Sequence, residues 1–133
     1  MIQVQQNLAA RHTTKLPRLT PTETLFGHCG WLSVRQLIMF HSLVLFHKIL
    51  IQSTPRYLAS QVKFVDRETR TIDSFNVIDN KHRRYKTATA SKGFFPRTIK
   101  DWNSLPLDIR VINDVQGFKS NLKIFIKHNI PIK

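Results

Sequence analysis

The sequence predicts a mainly α-helical fold: a small helical domain with one long core helix and a basic, irregular or hairpin-like loop at about residues 63–95. Apolar residues recur at helical spacing on both sides of this loop, and within it the periodicity is lost. With 133 residues and 41% hydrophobic side chains, the chain can bury one compact core. We interpret it as a single module, with N-terminal helices in residues 1–62 and C-terminal helices in residues 96–130.

The first helix is predicted at residues 2–13, where apolar side chains recur near a period of 3.6 residues. The sequence opens inside this pattern without a capping residue, so we expect the chain to be a fragment of a larger protein. A second, short helix is predicted to begin with a capping box, in which Thr20 is the N-cap and Glu23 its partner. It should end near Gly27 or Gly30.

Ser33 is the predicted N-cap of the long core helix, which runs to about Gln52 with apolar side chains over half of its circumference. Its apolar stretch, residues 37–51, is interrupted by histidine, serine and lysine and is shorter than the roughly 20 residues of a membrane span. We therefore expect no membrane-spanning helix. A short helix should restart at Pro55 and continue to about residue 62.

After the loop, one helix is predicted at residues 96–103 and another from a cap at Asn113 or Asp114 to about Lys127. The predicted apolar stripe of the last helix consists of Val115, Phe118, Leu122, Phe125 and Ile126. Lysines spaced four residues apart should share its outer face.

The net charge is the most unusual property of the sequence. It contains 21 Lys and Arg against 8 Asp and Glu, a formal charge of +13. Such an excess favours a polyanionic partner, with nucleic acid as the first candidate and an anionic membrane surface as the second. Of the two, we predict nucleic acid and no membrane association. The excess is spread along the chain and is not confined to a tail.

Composition also restricts the possible chemistry. Cys29 is the only cysteine, which excludes an intrachain disulfide and a multi-cysteine zinc site and favours a reducing compartment, the nucleus or the cytoplasm. The acidic residues are few and scattered, whereas polymerase and nuclease sites need converging carboxylates. Residues 64–67 resemble the aromatic-x-Asp-Asp turn of reverse transcriptases, but Arg67 replaces the second acid. We expect no catalytic residue, metal site or cofactor.

Two further patterns, of histidines and of a histidine with a cysteine, do not indicate a site. His41 and His47 are six residues apart, so they do not share a helical face as a helical zinc pair does. His47 falls on the apolar arc of the long helix, which indicates a hydrogen-bonded core histidine. The neighbouring His28 and Cys29 lack a visible third member of a catalytic set.

Binding is the remaining possibility. Residues 67–100 are dense in cations, which contact phosphates, and they include aromatic side chains, which can stack on bases. The candidate nucleic-acid-binding residues are Arg67, Arg70, Arg83, Arg84, Tyr85, Lys86, Lys92, Arg97, Lys119 and Lys123. Phe94 and Phe95 are interpreted as anchors that hold this segment on the core.

Five stretches together resemble a known family. They are residues 2–13 (IQVQQNLAARHT), 30–37 (GWLSVRQL), 54–58 (TPRYL), 94–106 (FFPRTIKDWNSLP) and 118–125 (FKSNLKIF). In this order they are similar to the segment that follows the polymerase domain in reverse transcriptases of non-LTR, LINE-like retrotransposons of the jockey type. The set is specific, although each piece alone is weak. The catalytic palm of that family has no counterpart in the chain.

The resemblance implies a noncatalytic thumb or post-thumb role, in which the module helps to hold template RNA and nascent DNA beside a polymerase domain. The partners would be RNA or single-stranded DNA and an upstream polymerase domain. It also implies a structural role for Trp102, buried through its i, i+3 spacing from Ile99. The alternative is a helical docking scaffold, or a degenerate remnant, that binds no nucleic acid and exposes an apolar patch on its first or last helix.

Overall fold

A computed structural model of the chain describes residues 2–62 and 88–131, which are mainly α-helical and contain no β-strand. The helices are α1 (Ile2–Thr14), α2 (Thr22–Cys29), α3 (Val34–Gln52), α4 (Arg56–Ala59), α5 (Ala88–Ser91), α6 (Phe94–Ser104), α7 (Leu107–Arg110) and α8 (Val115–Asn129). The predicted mainly α-helical fold class with its long helix is confirmed, whereas α5 and the start of α6 fall within the stretch predicted as an irregular loop to about residue 95. Most of the predicted basic loop, residues 63–87, lies outside the described residues.

The chain forms two compact units. Unit 1 consists of Met1–Ile38 and Lys123–Lys133, and unit 2 consists of Met39–Leu122.

In unit 1, α1 packs on α2 through a small apolar cluster. Ala10, Leu25 and Phe26 are buried in it, and the partly buried Leu16 and Cys29 pack against them. Helix α2 ends at Gly30, which adopts a left-handed conformation with φ of 66° and donates its N–H to the carbonyl of Phe26. A side chain would be strained at this φ, so glycine suits the helix end.

The start of α3 is fixed by the predicted N-cap. The backbone N–H of Gln36 donates to Ser33 Oγ at 3.3 Å, and the N–H of Ser33 donates to Gln36 Oε1 at 2.9 Å, which is a capping box. Two glutamines of α1 bond to the same region: Gln3 Oε1 accepts the N–H of Val34 at 2.9 Å, and Gln6 Nε2 donates to the Leu32 carbonyl at 2.7 Å. The predicted cap at Ser33 is therefore confirmed.

The capping box predicted at Thr20 is wrong. Helix α2 begins at Thr22 behind Pro21, whose carbonyl accepts the N–H of Leu25 at 3.1 Å, and no side chain caps it. Thr20 lies in a turn, where its N–H donates to the Pro17 carbonyl at 2.9 Å. The threonine is therefore one residue too early to act as the N-cap.

Unit 2 is built around an aromatic core. Its part of α3 buries Leu43, Val44, Phe46, His47 and Ile49. Helix α6 contributes the buried side chains of Thr98, Ile99 and Trp102, and its Trp102 ring lies 5.5 Å from that of Phe46 and 5.9 Å from that of Phe118 in α8. The buried, structural position predicted for Trp102 is confirmed.

Several helix bounds differ from the prediction. Helix α6 begins at Phe94 and not at Pro96. Proline is tolerated within the first turn of a helix because the N–H that it lacks would have no partner in the helix. Helix α4 stops at Ala59, short of residue 62, and α5 and α7 were not predicted. The cap at Asp114 is confirmed, since its Oδ2 accepts the N–H of Gly117 at 2.8 Å.

Helix α3 is long and apolar enough to cross a membrane by length and composition alone, a criterion that the core helices of soluble proteins also meet. The absence of membrane association stays a prediction.

Candidate nucleic-acid interface

The predicted binding residues divide into two groups. Arg67, Arg70, Arg83, Arg84, Tyr85 and Lys86 lie outside the described residues. The others are described: Lys92, Arg97 and Lys123 are exposed, and Lys119 is partly exposed. The described cations therefore reach solvent, as phosphate contacts require.

Helix α6 is the most clearly two-sided element of unit 2. Thr98, Ile99 and Trp102 are buried on one side, whereas Arg97 and Lys100, three residues apart, are exposed on the other. Burial of the apolar side fixes the helix and thereby holds both cations towards solvent. Lys100 is the last residue of the predicted basic segment but is not among the predicted binding residues.

The two phenylalanines that open α6 are partly buried. Their rings are 5.3 Å apart and inclined by 73°, an edge-to-face pair. Mutual packing of this kind stabilises the helix start. The interpretation of Phe94 and Phe95 as anchors on the core stays a prediction.

The lysines of α8 belong to different units. Lys119 is a partly exposed residue of unit 2, whereas Lys123 and Lys127 are exposed residues of unit 1. The predicted apolar stripe is present along the same helix: Phe118, Leu122 and Ile126 are buried, and Val115 and Phe125 are partly buried.

Within residues 2–62 and 88–131, no group of three or more His, Cys, Asp or Glu side chains could hold a metal ion. Cys29 packs against the apolar cluster of unit 1, while the adjacent His28 is exposed. The two side chains therefore lie in different environments, one against the apolar cluster and the other in solvent.

His47 is a titratable side chain in the core of unit 2. It is buried, it stacks on Phe118 with ring centres 4.0 Å apart, and its Nε2 lies 2.6 Å from the carbonyl of Ile112. Since a carbonyl only accepts, Nε2 carries the proton, and the buried Nδ1 has no hydrogen-bond partner among the described residues. The prediction of a hydrogen-bonded core histidine is confirmed.

Burial lowers the pKa of His47, and this effect outweighs the carbonyl of Ile112 and the negative charge of Asp114, which raise it. The folded state thus keeps His47 neutral at a pH where the unfolded chain takes up a proton. We expect the free energy of unfolding to fall as the pH drops below about 6.5, the ordinary pKa of histidine.

The measurement is urea unfolding of wild type and His47→Gln at pH 7.5 and 5.5. Glutamine retains a donor for the Ile112 carbonyl but does not titrate. Because the chain has 6 histidines, the difference between the two proteins isolates His47. The wild type should lose more stability on acidification, and an identical loss in both proteins would contradict the expectation.

No family model matches this sequence, and neither a curated protein nor a solved structure matches it. The resemblance to non-LTR reverse transcriptases therefore stays a prediction from the sequence motifs.

Proposed function

We propose that the chain is a noncatalytic nucleic-acid-binding module that holds RNA or single-stranded DNA through its phosphates. The observation that carries the proposal is a charge of +13 whose described cations face solvent: apart from the buried Arg110, every described Lys and Arg is at least partly exposed. Four acidic residues accompany them in the described ranges, namely Glu23, Asp101, Asp108 and Asp114.

Exposed cations in such excess repel one another, and a polyanion relieves that repulsion. Contacts of this kind release counterions and carry little sequence information, so binding should be sequence-tolerant and strongly dependent on salt. Arg97 and Lys100 of α6 are suited to this role because burial of Thr98, Ile99 and Trp102 holds the helix in place beneath them. The family resemblance adds a possible setting, beside a polymerase domain, with template RNA and nascent DNA as ligands.

The test is fluorescence anisotropy with a labelled, unstructured 20-nucleotide RNA at several KCl concentrations. If the chain contacts about five phosphates, each contributing about 0.7 to the slope of log K against log[salt], affinity should fall about 100-fold between 50 and 200 mM KCl. Replacing both α6 cations, Arg97→Gln with Lys100→Gln, should flatten the slope by about 1.4.

A matched control removes the same charge from other helices of unit 2, through Lys48→Gln with Arg56→Gln. We expect a smaller effect from it than from the α6 variant. Wild type that does not bind the RNA at 50 mM KCl would refute the proposed function, and equal slopes for the two variants would place the phosphate contacts away from α6.

One observation favours the alternative, a helical scaffold that docks on another protein domain. Helix α1 exposes apolar side chains: 72% of Ile2, 54% of Val4 and 48% of Leu8 are accessible. Val4 and Leu8 are four residues apart and therefore lie on one face of the helix. Absence of RNA binding, together with self-association or precipitation relieved by Val4→Gln and Leu8→Gln, would favour the scaffold.

A further inference from the structure

Unit 1 contains a groove that none of the predicted binding residues lines. It has a volume of about 600 Å³ and is lined by Leu8, Arg11, His12, Leu16 and Arg18. This volume falls in the range of about 300–1,000 Å³ that is typical of ligand pockets. Three of the five side chains carry cationic or imidazole groups, and no carboxylate is among them.

The base of the groove is held in place by the core of unit 1. Leu16 packs against the buried cluster of Ala10, Leu25 and Phe26. Arg11 is partly buried, and its Nη1 donates a hydrogen bond to the backbone carbonyl of Arg18. This bond occupies one of the five guanidinium N–H groups and orients the remaining donors, so Arg11 is positioned before any ligand arrives.

The other polar side chains of the groove are exposed. His12 and Arg18 make no side-chain hydrogen bond or ion pair with a described residue, and neither does Lys15, which lies between them in sequence. Glu23, the described acidic residue of unit 1, lines a different pocket with Phe26 and Trp31. The positive charge of the groove is therefore not neutralised within the described part of unit 1.

Helix electrostatics explain only part of this arrangement. Arg11 and His12 belong to the last turn of α1, where the helix dipole favours positive charge. Arg18 lies four residues beyond the end of α1, out of reach of that effect, and yet it lines the same groove. Two arginine and two leucine side chains that line one groove are better explained by an anionic ligand with an apolar part.

We infer that this groove binds the backbone of a single-stranded nucleic acid, with a phosphate held between Arg11 and Arg18 and the adjoining sugar or base lying on Leu8 and Leu16. Guanidinium groups match a phosphate with paired hydrogen bonds. The inference rests on the proposed function and assigns to unit 1 a contact separate from the basic segment at residues 67–100. An acidic peptide would present carboxylates to the same cations, but it lacks the flat base that the leucines would cover.

The test compares Arg18→Gln with Lys127→Gln, which removes one exposed charge from the same unit outside the groove. The probe is the same labelled 20-nucleotide RNA. Loss of one phosphate contact should flatten the salt slope by about 0.7, which corresponds to about five- to tenfold weaker binding at 50 mM KCl. Lys127→Gln should weaken it less than about twofold, and Arg18→Lys should retain an intermediate affinity because it keeps the charge but not the paired donors.

A second measurement reports on the apolar part of the groove. In methyl NMR spectra, signals of Leu8 and Leu16 should shift on addition of the RNA to wild type and should shift less in Arg18→Gln. The exposed position of Arg18 makes the variant suitable for comparison, and its circular dichroism melting curve checks that the fold is retained.

The outcomes distinguish the proposed function, nucleic-acid binding by the chain, from the inferred binding by the unit 1 groove. Wild type that does not bind the RNA refutes both. Wild type that binds, with Arg18→Gln and Lys127→Gln equally weakened, leaves the proposed function intact and refutes the groove. A ten-residue polyglutamate whose binding depends on Arg18 while RNA binding does not would reassign the groove to acidic peptides and overturn the inference.

Discussion

Replacing Trp102 with Ala should lower the free energy of unfolding by about 3–5 kcal/mol, the range for deleting a large buried aromatic side chain. The indole is 1% exposed, and its neighbours in unit 2 include Phe46, His47 and Phe118, whose ring centres lie 5.5, 6.4 and 5.9 Å away. Three rings from two other helices cannot all move inwards to fill the space that the indole leaves. The variant therefore loses both apolar burial and packing contacts.

The measurement is urea unfolding followed by far-ultraviolet circular dichroism, since the mutation removes a fluorophore. Tyr57→Ala is the control, because this aromatic residue of the same unit is 68% exposed and its loss should change stability by less than about 0.5 kcal/mol. Trp102→Phe, which retains a ring, should fall between the two. A Trp102→Ala midpoint equal to that of wild type would contradict burial of the indole and revive base stacking as its role.

Much of the fold could be predicted because strong local signals coincide with the tertiary structure. Ser33 and Asp114 cap helices through short, sequence-local hydrogen bonds, and such bonds are readable from residue type and spacing. The burial of Trp102 followed from its spacing to Ile99 on one helical face. His47 was recognised in the same way, from its position on the apolar arc of α3.

The errors arise where two local signals compete. At the start of α2, the sequence Thr20-Pro21-Thr22 has a threonine on each side of a proline. The cap predicted at Thr20 was wrong because α2 begins at Thr22 with Pro21 in the N-cap position, which leaves Thr20 one residue too early. At α6, Pro96 was read as the first helical residue. A proline is tolerated throughout the first turn, so its position defines a helix start only to within a few residues.

The groove in unit 1 was missed for a different reason. Its lining residues come from the end of α1 and the segment after it, and only the packing of Leu16 against α2 brings them around one space. The sequence does carry a signal: Arg11, His12, Lys15 and Arg18 fall within eight residues that contain no acid. That signal is weaker than the run of cations at residues 81–86, on which the prediction of a binding site in the basic segment rests.

Replacing Arg83, Arg84 and Lys86 together by Ala should weaken RNA binding at every sequence and flatten its salt slope by about 2–3. These residues lie outside the described part of the chain, so the expectation rests on charge. No acidic residue occurs between Asp79 and Asp101, and a cation without an acidic partner nearby is available to phosphate. At about 0.7–0.9 per contact, three lost contacts correspond to an affinity about 500- to 3,000-fold lower at 50 mM KCl.

A comparison variant removes the same charge from α8 through Lys119→Ala, Lys123→Ala and Lys127→Ala, of which Lys119 and Lys123 are also candidate binding residues. Both triple variants are titrated with two unrelated 20-nucleotide RNAs and with single-stranded DNA, and urea unfolding confirms that each is folded. If the central cations contact phosphates, their removal reduces affinity for all three ligands alike, because phosphate contacts do not read bases.

The comparison between the two variants decides which surface binds. If the basic segment contacts the RNA, the variant without Arg83, Arg84 and Lys86 has the flatter salt slope, and the α8 variant stays closer to wild type. The reverse order would move the binding surface to α8 and remove Arg83, Arg84 and Lys86 from the candidate residues. If both variants keep the wild-type slope while wild type still binds, the cations of α6 and of the unit 1 groove are the remaining source of phosphate contacts. Combining Arg18→Gln with Arg97→Gln should then weaken RNA binding and flatten its salt slope.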